Sequence, residues 1–498
     1  MIARVRYCVG ENAHSRAAAY ALRTLLEMVV SPESLLQGPA AKRSGDEVLV
    51  TYGVVAGATG DTVRICMSDF FGDRYGKLDD MPQHPVVRVE NIPALYRDER
   101  VSTGTFFSVR RDGLDVSVEC HVDVVASAFF MLSRYEETVV QALDALGRFP
   151  VESSVAFREG FLEEPIVNQY AEQLLKMLRI AGFTGERRRW WGKAPWAIAL
   201  THDIDQLYRF PRGRFPALGL ARSLAGRAPA DAPRPGALMN DYVDTVTRRK
   251  TDEYDCLEDM ATWEASAGMH SAYYFLGDST ERHAADYIVG DATYAATQMK
   301  MVTSLGHEVG FHAGFQAFKN AERFHGELSR VRSPGLPVSG GRQHYLRWQT
   351  PVTWRLWEME GLTYDATLGY SKTAGFRCGT CLPFHPYDMA NDREMSISEW
   401  PLMFMDDTYF SSWPEGTKAL DHLSGECRRY GGVLVLLWHN KYWSDLYAHG
   451  VRSCFQESLL HWVAQGVPVD SISGLTRLSD AASTDGFAPS RTHEHDGR

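Results

Sequence analysis

Two apolar runs that each end in polar residues constrain the fold of this chain more than any other feature. Residues 196–200 (WAIAL) lead into Asp203 and Asp205, and residues 431–438 (GGVLVLLW) lead into His439. Continuous aliphatic runs of this length are typical of strands that are buried on both faces of a parallel sheet. Functional residues of such sheets lie at the carboxyl ends of the strands. The sequence therefore predicts a site at that edge.

The segments between these runs predict helices that alternate with strands. The helical segments are 255–268, 291–306 and 350–361, and each begins with Asp or Thr and ends with Gly. These residue types are favoured at helix caps. The first segment leads into an apolar strand at 271–276. Regular alternation of this kind predicts a parallel sheet or barrel with helices outside it.

The first 185 residues predict a smaller α/β domain of their own. Helical periodicity occurs near 15–30 and again from Pro165, while 47–53 and 62–67 are typical of strands. A chain of 498 residues is too long for one typical core. This N-terminal segment has no motif that indicates chemistry, so its role and its partner stay open.

The basic and aromatic segment 186–195 marks the predicted domain boundary, and a second domain is expected over 195–478. Within that domain, 208–236 is rich in Arg and Pro and is expected to be an insertion, either a flexible connection or a basic lid over the site. Residues 479–498 are expected to form a disordered tail.

Composition excludes several classes of function. The formal net charge of −11 argues against nucleic acid as the main partner. No apolar stretch reaches the length of a transmembrane helix, and the first residues lack the order of a signal peptide, so we expect a cytoplasmic protein. The eight scattered cysteines suit reduced thiols. Cys378 and Cys381 form a lone CxxC pair, for which packing is favoured over metal or redox chemistry.

Four short segments contain residue types that metal-assisted hydrolysis uses. They are THDID at 201–205, HEVGFH at 307–312, RQHY at 342–345 and WHN at 438–440. Hydrolysis of an amide requires a base, an acid and a cation that polarises the carbonyl group. Two carboxylates spaced i, i+2 at the end of a strand point to the same side, so Asp203 and Asp205 can act on one centre.

In the order of these segments the chain resembles the polysaccharide deacetylase family of carbohydrate esterases, over roughly 196–475. The phrases GHEVGFH, RQHYLRW, YDATLGY and GFRCGTC are similar to a bacterial branch associated with surface polysaccharides, in which an uncharacterised N-terminal domain precedes the deacetylase domain. The resemblance implies a distorted (β/α) barrel with fewer than eight regular strands.

The resemblance also implies a role for five residues. Asp203 matches the general base, and Arg342 matches an arginine that pairs with it through a bidentate guanidinium. Asp205 and His312 match metal ligands. His439 matches the general acid that protonates the departing amine.

The third metal ligand is not settled by the resemblance. The family usually has a second histidine four residues after the first, and this chain has Gln316 at that position. His344 is the preferred alternative. His307 is a weaker one, because five residues of extended strand separate it from His312 and turn it to the other face.

Further residues are suggested by their positions in the loops near these motifs. Tyr345 matches the family's substrate groove. Asp365 is a candidate partner of His439 or of the substrate, and Arg377 a candidate for an anionic or acetamido group. Sugar-stacking faces are expected from Trp348, Tyr370 and Phe376.

The leading hypothesis is a hydrolase that uses one divalent ion, expected to be zinc, to remove an N-acetyl group from an acetamido sugar of a surface polysaccharide, glycolipid or precursor. A second hypothesis is an enzyme of the same fold that hydrolyses a non-sugar carbon–nitrogen bond. Some relatives of this domain catalyse such reactions without a metal ion. A third is a catalytically degenerate carbohydrate-binding module.

Overall fold

The computed structural model describes residues 4–38, 47–55, 60–97, 104–210, 217–225, 235–280, 283–290, 292–409, 412–443 and 451–485. Within these residues the chain forms two large sheets with helices packed against them, and two further sheets of two strands each. No helix among them combines the length and the apolar character needed to cross a membrane.

The first sheet belongs to the N-terminal region, by which we mean the residues before 186. Its elements in chain order are β1 (Arg4–Val9), α1 (Ser15–Val29), β2 (Leu35–Gln37), β3 (Glu47–Tyr52), β4 (Thr62–Ile65), β5 (Val87–Val89), β6 (Ile92–Ala94), β7 (Phe107–Asp112), β8 (Asp115–Cys120), α2 (Val124–Leu132), α3 (Tyr135–Val139), α4 (Val155–Arg158) and α5 (Ile166–Ile180). The strand order is β2-β1-β3-β4-β8-β7, parallel except for the β7–β8 pair. The helices and strands predicted here from periodicity are confirmed.

The second sheet belongs to the C-terminal region, which begins at residue 195. Its elements are β9 (Ala197–Ile204), α6 (Ala217–Leu224), α7 (Pro235–Val246), α8 (Leu257–Ser266), β10 (Ala272–Leu276), α9 (Tyr294–Ser304), β11 (Glu308–Ala313), α10 (Ala321–Arg332), β12 (Gly340–Gln343), α11 (Val352–Met359), β13 (Tyr364–Asp365), β14 (Tyr387–Asp388), β15 (Arg393–Glu394), β16 (Ser398–Glu399), β17 (Phe404–Met405), α12 (Asp406–Tyr409), α13 (Trp413–Tyr430), β18 (Val433–Leu437), α14 (Val451–Ala464), β19 (Val469–Asp470) and α15 (Ile472–Asp485).

Eight parallel strands follow one another in this sheet in the order β16-β13-β12-β11-β10-β9-β18-β17, and β19 also pairs with β9. This arrangement is compatible with an α/β barrel. Strands β13, β16 and β17 contain only two residues each, so the regular part is smaller than eight strands. The central strands β9, β10 and β18 are buried along their whole length, as their apolar sequences predict.

The two regions share one continuous apolar core. Helix α5 and the turn before it contact the segment 375–381: the backbone N–H of Phe376 donates to the carbonyl O of Leu162, and that of Val167 to the carbonyl O of Gly379. A Cβ atom on Gly375 would lie 2.8 Å from a side-chain carbon of Leu162. Glycine is therefore required there by close packing between the regions.

The prediction for the C-terminal tail needs correction, and the prediction for the insertion falls largely on residues that are not described. Helix α15 continues to Asp485, so 479–485 is helical instead of disordered tail; 486–498 lies outside the described residues. Much of the predicted insertion 208–236 also lies outside them, and its described part contains helix α6 and the start of α7. The choice between a connection and a lid therefore stays open.

Candidate active site

A cavity of about 280 Å³ lies at the carboxyl ends of the C-terminal parallel strands. Asp203 is the penultimate residue of β9, His312 lies near the end of β11, and His439 is two residues beyond β18. All three line the cavity, together with Asp205, His344, Tyr345, Met405, Asp407 and Lys441, and with Leu146 and Arg148 of the N-terminal region. The strand ends thus gather residues that are more than 230 positions apart in the sequence.

Three side chains in this cavity form a group that could bind a metal ion, namely Asp205, His312 and His344. The Oδ1 atom of Asp205 is 3.3 Å from Nε2 of His312 and 3.3 Å from Nδ1 of His344, and the two ring nitrogens are 3.0 Å apart. Zinc bonds of about 2.0–2.2 Å in a tetrahedral site require ligand atoms roughly 3.3–3.6 Å apart. The group therefore fits such an ion with little adjustment.

Two further observations support a cation at this position. Oδ1 of Asp205 is buried and has no hydrogen-bond partner among the described residues. Nδ1 of His312 lies 2.9 Å from the carbonyl O of Arg342, which can only accept, so in the neutral ring Nε2 carries the free lone pair. Burial raises the pKa of Asp205, but the imidazoles of His344 and His312 outweigh it and hold that pKa well below its usual value.

The structure brings His344, and neither Gln316 nor His307, to this group. Gln316 is exposed at the start of the turn after β11. Nδ1 of His307 accepts the N–H of Ser271, and its Nε2 faces the carbonyl O of Ala261 at 2.9 Å. His307 therefore belongs to the packing behind the sheet, as its position on the strand predicts.

Asp203 is buried and is held by Arg342. Nη1 of Arg342 donates to Oδ1 of Asp203 at 2.8 Å, Nη2 donates to Oγ1 of Thr201 at 3.0 Å, and Nε donates to the carbonyl O of Ala366. The predicted bidentate pair is thus replaced by a single contact, because the other donors of Arg342 have their own acceptors. Burial raises the pKa of Asp203, but the charges of Arg342, His312 and His439 outweigh burial and lower it.

The partner of His439 is Asp406, and the suggested pairing with Asp365 is wrong. Oδ1 of Asp406 is 2.7 Å from Nδ1 of His439, and Oδ2 accepts the backbone N–H of the same residue. Nε2 of His439 lies 3.8 Å from Oδ2 of Asp205 and so faces the cavity. Burial lowers the pKa of His439, but the carboxylates of Asp406 and Asp407 raise it to about 9.

Asp365 lies away from the cavity. It is fully buried, and its carboxylate accepts hydrogen bonds from the backbone N–H and the hydroxyl of Thr367. Burial raises its pKa to about 6, although the hydrogen bond with Glu399 acts in the opposite direction. These contacts give Asp365 a structural role at the end of β13.

Of the residues suggested for substrate contact, only Tyr345 lines the cavity. Arg377 is buried and its guanidinium donates to both carboxylate oxygens of Glu137 at 2.9 Å, so it is not available to an anionic group. Trp348 and Phe376 are buried in the core. Tyr370 is also buried, and Cζ of Arg377 lies over its ring, 4.8 Å from the ring centre.

Sequence reasoning missed Asp406, Asp407 and Lys441. The sequence nevertheless contained a signal, because Asp406 and Asp407 directly follow the apolar run 401–405 that ends in β17.

The sequence also left open whether the CxxC pair binds metal, has a redox role or is part of the packing. Cys378 and Cys381 are buried, and neither belongs to a metal-binding group among the described residues, which favours packing.

The fold and the site together define a mixed α/β protein with an eight-strand parallel sheet and an Asp/His group that could bind a metal ion. Residues 13–182 match the model of a family of unknown function, DUF7033. No curated protein matches the chain.

Two solved structures are similar to parts of the chain. One is a structure from Mycobacterium smegmatis that is provisionally described as a polysaccharide deacetylase. It is 15% identical to this chain, the match covers 61% of this chain and 95% of that structure, and the TM-score is 0.36. The other is a GH138 enzyme targeting pectin rhamnogalacturonan II. It is 10% identical to this chain, the match covers 90% of this chain and 59% of that enzyme, and the TM-score is 0.21. These TM-scores are too low for either similarity to inform the function.

Proposed function

We propose that this chain is a metal-dependent hydrolase that removes an N-acetyl group from an acetamido sugar of a surface polysaccharide, glycolipid or precursor. The observation that carries the proposal is the meeting of Asp203, the Asp205–His312–His344 group and His439 at one cavity. The choice of substrate rests on the motif resemblance to polysaccharide deacetylases.

The side chains divide the work of amide hydrolysis. When bound by Asp205, His312 and His344, a divalent ion, which we expect to be zinc, supplies Lewis acidity for the acetyl carbonyl. Asp203, which Arg342 keeps ionised, accepts a proton from the attacking water. His439 donates a proton to the departing amine, and Asp406 holds its ring in place through Nδ1. A degenerate binding module would not need this complete acid and base arrangement.

Metal content is the first test. The purified chain should contain about one equivalent of a divalent transition metal per molecule, and His312→Ala should lose it because two ligands hold such ions far more weakly than three. Elemental analysis measures this directly. Gln316→Ala is the matched control and should keep the metal. Absence of metal from the native chain after reconstitution with zinc would overturn the proposed function and favour the metal-free alternative.

The pH dependence of turnover tests the role of His439. Its pKa is raised to about 9, so the acid form is present below that pH and activity should fall above it. Asp406→Asn removes the largest favourable charge, so this pKa should move down towards the ordinary value of about 6.5 and the alkaline limb should shift to lower pH by more than about one unit.

The control for this experiment is Asp421→Asn, which removes an exposed carboxylate on α13. Its pH profile should match that of the native chain. An alkaline limb that stays in place in Asp406→Asn would remove His439 from the role of general acid.

A further inference from the structure

The N-terminal region reaches the cavity through one short segment, Asp144–Arg148. Leu146 and Arg148 line the same cavity as Asp203 and His312. The segment follows α3 and belongs to the part of the chain that matches the family of unknown function. One wall of the candidate active site therefore comes from outside the C-terminal region.

The segment is held in shape by its own hydrogen bonds. Oδ1 of Asp144 accepts the backbone N–H of Leu146 at 2.8 Å and that of Arg148 at 2.9 Å, and its Oδ2 accepts Nε of Arg148 at 2.8 Å. The N–H of Gly147 donates to the carbonyl O of Asp144. Because Asp144 fixes both the turn and the guanidinium, Arg148 is presented in one orientation.

Arg148 contacts the turn that follows β12 and begins with His344. Nη1 of Arg148 donates to the carbonyl O of Tyr345 at 3.2 Å. Gly147 lies against the same turn, since a Cβ atom on it would be 3.0 Å from Nη2 of Arg347. The charge of Asp144 acts on Arg347 as well as on Arg148, so one carboxylate lets two arginines from different regions approach each other.

The turn that receives these contacts has an unfavourable backbone. Tyr345 has a φ of 60° and Leu346 a φ of 54°, which are left-handed values that side chains other than glycine rarely adopt. Such conformations persist only when the surrounding structure holds them. Nη1 of Arg347 donates to the carbonyl O of Phe315 and supplies a second support from within the C-terminal region. The position of His344 depends on this turn.

We propose that Asp144–Arg148 is a positioning element of the active site, which holds the left-handed turn of Tyr345 and Leu346 and thereby keeps His344 beside Asp205 and His312. The metal-binding part of this inference rests on the proposed function. The restraint on the turn does not, because it follows from the contacts of Arg148 and Gly147 with the turn and requires no metal ion.

Hydrogen–deuterium exchange of the full chain tests the restraint without metal or substrate. In Arg148→Met, which keeps the apolar stem but loses the guanidinium, the amides of residues 345–347 should exchange at least about fivefold faster than in the native chain. The control is Arg158→Ala, an exposed arginine of the same region. It should leave these amides unchanged. A peptide from β3 reports on the stability of the whole fold.

Unchanged exchange at 345–347 in Arg148→Met, or acceleration of equal size in β3, would overturn the proposal. If Arg148→Met is insoluble, Arg148→Lys takes its place. The ammonium group of lysine cannot donate to Asp144 and to Tyr345 with the geometry of a guanidinium. We therefore expect amide exchange at 345–347 to be faster than in the native chain, but by less than in Arg148→Met. Native exchange in a soluble Arg148→Lys would overturn the proposal equally.

Zinc affinity, measured by competition with a chelator, gives a second and separate result. Supporting residues around metal ligands typically change affinity by about 10–100-fold, so Arg148→Met should bind zinc at least tenfold more weakly than Arg158→Ala. Equal affinity in the two variants would overturn the link to His344. If the native chain binds no zinc, the proposed function fails, and the exchange experiment still decides whether Asp144–Arg148 restrains the turn.

Discussion

Asp203→Asn should lower turnover by about 10²–10⁴-fold while the fold is retained, because only a proton acceptor is lost. Asparagine has the same shape as aspartate, and its carbonyl oxygen can still accept the hydrogen bond that Nη1 of Arg342 donates at 2.8 Å. Release of acetate from a panel of acetylated amino sugars measures the effect. Circular dichroism confirms that the variant is folded.

The control for Asp203→Asn is again Asp421→Asn, which should retain native turnover. Metal content should stay at the native level in both variants, since Asp203 lies outside the group that could bind the ion. A folded Asp203→Asn with near-native turnover would remove Asp203 from the role of general base. Amides other than acetylated sugars belong in the same panel, because a preference for them would favour the second hypothesis.

Glu137→Gln should lower the free energy of unfolding by about 3–5 kcal/mol, because it breaks a buried ion pair and leaves charge uncompensated. Arg377 donates to both oxygens of Glu137, and Nε of Arg134 donates to one of them at 3.0 Å. Arg134 also donates to Glu136 at 2.9 Å. The charges of two guanidinium groups and two carboxylates thus cancel in the interior, and the substitution leaves one uncompensated positive charge.

Glu152→Gln is the control for this prediction, since Glu152 also joins the two regions through Lys372, but at the exposed surface. Exposed pairs contribute little to stability, so its urea unfolding midpoint should stay close to that of the native chain. Urea unfolding followed by tryptophan fluorescence measures both variants. Equal midpoints for Glu137→Gln and Glu152→Gln would contradict the structural importance of the buried group.

The regular parts of the fold could be predicted from the sequence because their signals are local. The helices predicted at 255–268, 291–306 and 350–361 are confirmed as α8, α9 and α11, each shorter by a few residues. The closing glycines Gly268, Gly306 and Gly361 have the left-handed φ that is typical after a helix. The predicted N-caps at 255, 291 and 350 are wrong, because the helices begin after Cys256, Thr293 and Pro351. The short strands β13, β16 and β17 could not be predicted, because two residues carry no periodicity.

The same distinction applies to the site. Asp203 and His312 lie near the ends of buried strands and His439 follows one, and the sequence indicated that they would meet. Trp348, Tyr370 and Arg377 lie on loops, where closeness along the chain says little about which direction a side chain faces. Arg148 carried no signal at all, because its contact with Tyr345 spans 197 positions.

The shared core at 375–381 also limits which fragments of this chain can exist alone. A fragment that begins at residue 195 would expose to water the surfaces of Gly375 and Gly379 that now meet Leu162 and Met131. Exposed apolar patches of this kind favour aggregation. Any natural protein that has a counterpart of the C-terminal region without the N-terminal region must therefore shield these positions with other side chains, or replace them with polar ones.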